Sequence, residues 1–156
     1  MTRDVVINTD GGARGNPGPA AIGAVVYDLD GHVLAEISEP LGVATNNVAE
    51  YTAVLRALEK AAELGAKVVQ LRSDSLLLIE QLNGNFKVKN PTLQVLHQKV
   101  REAAKAFETV SFTHVRRERN VAADALVNEA LDSWITENGY PAVADPPTQG
   151  SLLEPD

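Results

Sequence analysis

Cysteine is absent from the 156 residues, which removes disulfide frameworks, thiol nucleophiles and thiolate zinc sites together and leaves nothing that asks for an oxidising compartment. Aromatic residues make up 4%, too few for the stacking platforms of single-strand nucleic-acid binders. No stretch reaches the roughly 18 apolar residues of a membrane span. The opening MTRDVVINTD is charged and has no apolar signal-peptide core, so a cytoplasmic protein with no membrane partner is expected. Lysine and arginine are missing from the last quarter. Met1 to Arg119 holds 14 Lys+Arg and 14 Asp+Glu, whereas Asn120 to Asp156 holds 7 acids and no base, so the net charge of -7 lies wholly in the C-terminal part. A neutral body leaves room for a polyanionic partner that the total charge alone would argue against.

What is present fits one soluble domain: 44% apolar and 22% charged residues, long enough to bury a core. Val5–Thr9 is β-branched and runs into Asp10-Gly11-Gly12, as a strand entering a turn. ARGNPGPA is rich in Gly and Pro and reads as irregular. Ile22–Tyr27 and Val33–Ile37 follow as strands joined by a hairpin turn at DLDG. Thr45–Leu64 has helical period, with Val48, Tyr51, Val54, Leu55, Leu58 and Ala62 on one face and Gly65 as its stop. A strand at Val68–Arg72, a short helix at Ser75–Leu82, a polar loop FKVKNP, a helix at Thr92–Phe107, a strand at Val110–Val115 and a helix at Asn120–Glu137 complete the order β-β-β-α-β-α-α-β-α. Turn-linked strands should be antiparallel and helix-linked ones parallel, so an α/β fold is expected, with a mixed five-stranded sheet and helices on both faces. The domain should occupy residues 1–138. Residues 139–156, which carry four of the eight prolines, read as a flexible tail or a linker.

Four acids stand at element boundaries: Asp10, Glu50, Asp74 and Asp124. If the first and fourth strands are parallel neighbours, Asp10 and Asp74 emerge side by side at their carboxyl edge, where open α/β sheets place ligands. Clustered carboxylates repel one another unless a cation neutralises them, and an all-oxygen donor set suits Mg²⁺ or Mn²⁺ rather than zinc. Each acid also has a plain structural explanation. Asn47 to Glu50 has capping-box spacing, Asp74 is placed to cap the helix at Ser75, Asp10 to make a turn with Gly11, and Asp124 to sit on an exposed helix face.

Four separated segments resemble the type 1 ribonuclease H family: TDGGARGNPGPAAIGAVV, TNNVAEYTAVLRAL, RSDSLLLIEQLNG and ERNVAADAL. They occur in the family's order, and the resemblance runs from about residue 4 to 133. It implies a ribonuclease H-like fold and endonucleolytic hydrolysis of the RNA strand of RNA/DNA hybrids, leaving 5′-phosphate and 3′-hydroxyl ends. It also implies two divalent ions held by Asp10, Glu50, Asp74 and Asp124, with Glu50 beside the RNA 2′-hydroxyl. Substrate contacts are expected from Gly11, Gly12 and Asn16 in the Gly-rich loop, and from Thr45, Asn46 and Asn47 at a helix N-terminus. Of the last two, Asn46 is the stronger candidate, because capping can occupy Asn47. Lys87 and Lys89, together with Arg116, Arg117 and Arg119, are placed to follow phosphates.

The sequence departs from well-known members in three ways. Only RRER separates Val115 from Asn120, leaving no loop histidine, so Arg117 is the candidate to aid the leaving group. His114 alternates with Phe112 and is expected to pack within its strand, and Trp134 is expected in the core. Leu76 replaces a base-contacting Gln, and no long basic protrusion is evident. A monomer is expected. The rival reading is a non-catalytic hybrid- or RNA-binding domain of the same fold serving a fused partner.

Overall fold

In the computed structural model, residues 3–140 are described, and the greater part of the expected tail, residues 141–156, lies outside them. Five strands form one sheet of order β3-β2-β1-β4-β5. They are β1 (Arg3–Ala13), β2 (Gly18–Tyr27), β3 (Val33–Ala44), β4 (Ala66–Ser73) and β5 (Thr109–His114). β1, β2 and β3 pair antiparallel, whereas β1 with β4 and β4 with β5 pair parallel. Four α-helices follow the expected order: α1 (Asn46–Glu63), α2 (Leu76–Leu82), α3 (Pro91–Ala104) and α4 (Val121–Asn138), the last preceded by a 3-10 turn at Arg117–Arg119.

The first three strands are longer than their composition suggests. β1 continues through Gly11, Gly12 and Ala13, which pair with Ile22, Ala21 and Ala20, so only residues 14–17 of the Gly/Pro-rich run lie outside strands. Pairing with β2 carries Gly11–Ala13, and pairing with β3 carries Gly18 and Pro19, through the strand geometry that glycine and proline content alone argues against. β3 likewise runs past Pro40 and Gly42. It lies at the sheet edge, and its register with β2 shifts at this point, which is where a proline is tolerated in a sheet.

α1 packs on one face of the sheet. Ala49, Ala53, Ala57 and Ala61 recur every fourth residue and are all buried, a ridge of small side chains that lets the helix backbone come close to β1. Ala62, expected on this face, is exposed and Ala61 takes its place. Val5, Ile7, Ile22, Tyr51, Leu58, Leu71, Leu93 and Val100 are among the side chains of this main core. α4 covers the opposite face through Val127, Ala130 and Leu131 on Ala21. A β-carbon on Gly23 would run into the backbone oxygen of Ala123, so α4 too rests directly on strand backbone. Trp134 is only partly buried and lies outside both cores, a correction to its expected place.

Candidate active site

The parallel register of β1 and β4 ends at Thr9 opposite Ser73, which sets the next residues, Asp10 and Asp74, side by side. Asp10 is still inside β1, paired with Gly23. α1 supplies the third acid. A β-carbon on Gly11 would collide with the backbone of Ala49, so the glycine lets the first turn of α1 sit on β1 and bring Glu50 over the strand. Carboxylate oxygens of Asp10, Glu50 and Asp74 all lie within 4.8 Å of one another. Asp124, in the first turn of α4, is exposed and near enough to act on the Asp10 carboxyl group. All four acids line one groove of about 260 Å³.

The plain structural roles go to other residues. Thr45 caps α1 by accepting from the Val48 N–H at 3.2 Å, so Asn47 is not the cap and Glu50 does not close a capping box. Ser75 caps α2 instead of Asp74. Glu50 accepts from the Gly11 N–H at 2.7 Å, and that same N–H lies 3.0 Å from the Asp10 carboxylate.

Two of the acids are buried, Asp10 at 8% exposure and Glu50 at 6%. Burial first, then the negative charges of Asp74 and Asp124, push the Asp10 carboxyl up to about 8, against a smaller opposing effect of the Gly11 N–H. Burial first, then the charges of Asp10 and Asp74, hold Glu50 well above the ordinary carboxylate range. Near neutral pH this cluster takes up protons unless a cation replaces them. Its donors are all oxygen, which fits a hard divalent ion such as Mg²⁺ or Mn²⁺.

The Gly-rich loop and the start of α1 are stapled reciprocally. The Asn16 Oδ1 accepts from the Asn46 N–H at 2.9 Å, and the Asn46 Oδ1 accepts from the Ala13 N–H at 3.3 Å. Gly11, Gly12 and Asn46 line the acid groove. Gly11 is required by α1 packing, whereas a β-carbon on Gly12 would meet only ordinary contacts. Thr45 lies in an adjoining hollow with Pro17 and Asn90. Asn47 is half-buried on α1, and the exposed Lys87 and Lys89 sit between α2 and α3; none of the three lines the acid groove. Of the three arginines before α4, Arg117 lines the groove, while Arg116 and Arg119 line a separate hollow with His114. His114 does belong to β5 but is exposed, because it ends an edge strand whose last side chains have nothing packed over them.

Three groove-associated residues escaped the sequence reading. Asn120 is fully buried at the start of α4 and donates to the Thr9 carbonyl at 2.8 Å, tying α4 to β1 next to Asp10. Asn128 donates to the Asp124 carbonyl at 3.1 Å and to its carboxylate at 3.3 Å. Arg14, from the β1–β2 turn, also lines the groove. The two asparagines stand four residues either side of Asp124, a helical spacing that could have found them. Arg14 had no such signal.

A family model described as reverse transcriptase-like matches residues 8–130. Ribonuclease HI of Halobacterium salinarum is 48% identical over 123 residues, covering 79% of this chain and 62% of that protein. A bifunctional protein of Mycobacterium tuberculosis is 46% identical over 130 residues, covering 83% of this chain but 36% of its own length. The solved N-terminal ribonuclease H domain of that protein superimposes with a TM-score of 0.84 at 44% identity, covering 87% of this chain and 99% of the solved one. A ribonuclease H1 isolated from compost, solved in complex with an RNA/DNA hybrid, gives a TM-score of 0.81 at 45% identity over 84% of this chain and 99% of that one. The chain thus spans about a third of the mycobacterial relative and under two thirds of the halobacterial one. Fold, strand order and these likenesses agree: the chain belongs to the reverse transcriptase-like family and, within it, groups with the type 1 ribonucleases H.

Proposed function

We propose that this chain is a divalent-metal-dependent endonuclease that hydrolyses the RNA strand of RNA/DNA hybrids, leaving 5′-phosphate and 3′-hydroxyl ends. The observation that carries the reading is the convergence of Asp10, Glu50 and Asp74 within 4.8 Å, with Asp124 on the same groove, at the carboxyl edge of two parallel strands. The hybrid-bound ribonuclease H1 of similar fold supports the choice of substrate.

Asp10, Glu50, Asp74 and Asp124 would hold two Mg²⁺ or Mn²⁺ ions. Such ions supply the Lewis acidity that activates water and neutralises charge on the phosphate and the departing oxygen. The chain's own groups do the rest. The Gly11 N–H orients Glu50, and the Asn128 amide holds the Asp124 carboxylate. Gly12, Asn16, Thr45, Asn46 and Asn47 would contact the hybrid beside the acids, with Lys87 and Lys89 meeting phosphates further out. Arg117, on the groove wall, would offset charge on the leaving oxygen.

A labelled hybrid incubated with the chain and Mg²⁺ or Mn²⁺ tests this reading. Fragments with 3′-hydroxyl ends, lost in EDTA and not produced from duplex DNA, are the expected result. A hybrid that is shifted on a gel yet intact would instead favour a binding domain. Four acids facing phosphate make poor sense for such a domain, because without cations they repel the ligand.

A further inference from the structure

Arg14 is held at the groove by two residues of α4. Its Nη1 lies 2.8 Å from the Asp132 carboxylate and its Nη2 donates to the Asn128 Oδ1 at 3.2 Å. The Asn128 amide in turn donates to the Asp124 carboxylate at 3.3 Å, so one side chain separates the guanidinium from the fourth acid. Arg14 and Arg117 are the two cations among the groove's lining residues. A guanidinium has five N–H donors; Asp132 and Asn128 take two of them, and Tyr140 also lies near the group. Its carboxylate partner, Asp132, has 68% of its side chain exposed. Exposed ion pairs are weak, so an incoming anion replaces Asp132 at little cost. The fork geometry of arginine suits a phosphate, which accepts two parallel hydrogen bonds.

We propose that Arg14 is a further substrate-binding residue, which takes a backbone phosphate of the cleaved strand adjacent to the one at the acids, with Asp132 as its resting partner. This rests on the hybrid-cleavage reading above. Asn128 then couples the two positions, since it accepts from the phosphate-holding arginine and donates to Asp124.

Steady-state cleavage of a labelled hybrid by the full chain, measured across a salt series, tests the proposal with three variants. Arg14→Ala should lower kcat/KM roughly tenfold at 0.1 M salt, with the loss in KM, and make its log–log salt dependence shallower by about one, the signature of one lost phosphate contact. Arg14→Lys should keep the salt slope but recover only part of the affinity, because a lysine is a point charge without the fork. Asp132→Asn frees the guanidinium and should leave KM at or below that of the unsubstituted chain. Arg14→Ala with unaltered KM and salt slope would overturn the proposal. So would Asp132→Asn reproducing the Arg14→Ala loss, since Arg14 would then be only a strut between the turn and α4. An unsubstituted chain that leaves the hybrid uncut would overturn the reading of the groove itself, and the role of Arg14 with it.

Discussion

Asp10 joins the chemistry of the groove to the stability of the fold. Its carboxyl group titrates at about 8 in the folded chain, against 3.8 as its ordinary value, and Glu50 is displaced in the same direction. Between those two pH values the folded protein keeps a proton that the unfolded chain has released, so in EDTA this contribution to stability is complete below about pH 4 and is lost as pH rises through 8. Asp10→Asn cannot ionise. In EDTA at pH 8 it should therefore be more stable than the parent by on the order of 1–2 kcal/mol, read as a higher Tm, and the difference should vanish at pH 4. The same substitution should abolish cleavage. A variant with the parent's turnover would remove Asp10 from the metal-holding set. At a fixed, subsaturating Mg²⁺ concentration, cleavage by the parent should rise from pH 6 to 8, because protons and cations compete for the same oxygens.

At the scale of elements, the closeness of α1 to β1 decides where Glu50 lies. Gly11→Ala puts a β-carbon into the backbone of Ala49, and relief requires the first turn of α1 to move. We expect a loss of about 1–3 kcal/mol in urea unfolding, together with a fall in activity larger than Gly12→Ala produces, since position 12 has room. The cap gives a second contrast. Thr45→Ala should cost about 1 kcal/mol, whereas Asn47→Ala should stay within about 0.5 kcal/mol. The reverse result would restore Asn47 as the cap. These two sites also show what the sequence could and could not disclose. Apolar period revealed α1, and β-branched runs revealed the strand centres. The spacing from Asn47 to Glu50 has two physical readings, and only the docking of the helix on Gly11 decides between them. Likewise no local signal extends β1 through Gly11–Ala13 or β3 past Pro40, because their partners lie on other strands.

For the molecule as a whole, the antiparallel and parallel senses of the strands followed from which connections were turns and which were helices, whereas the order that sets β4 beside β1 did not. The meeting of Asp10 with Asp74 then followed from one parallel register. Arg14 stayed hidden because its partners depend on how α4 lies across the other face, which α4's own sequence does not specify, whereas Asn120 and Asn128 were within reach of the four-residue spacing about Asp124. Both cores and the acid groove lie within the described residues. A chain ending at Tyr140 should accordingly keep its Tm within about 2 °C and its hybrid-cleaving activity; loss of either would assign the remaining residues a structural part.

The four carboxylates come from β1, α1, the end of β4 and α4, and the last of them is joined to the others only when α4 settles on Gly23. A ribosome-borne chain that has not yet released this final helix lacks its fourth acid, however well its first half has folded. The acid set is thus completed only once α4 has left the ribosome and docked, so the proposed nuclease activity waits on that helix and not on the first half of the fold.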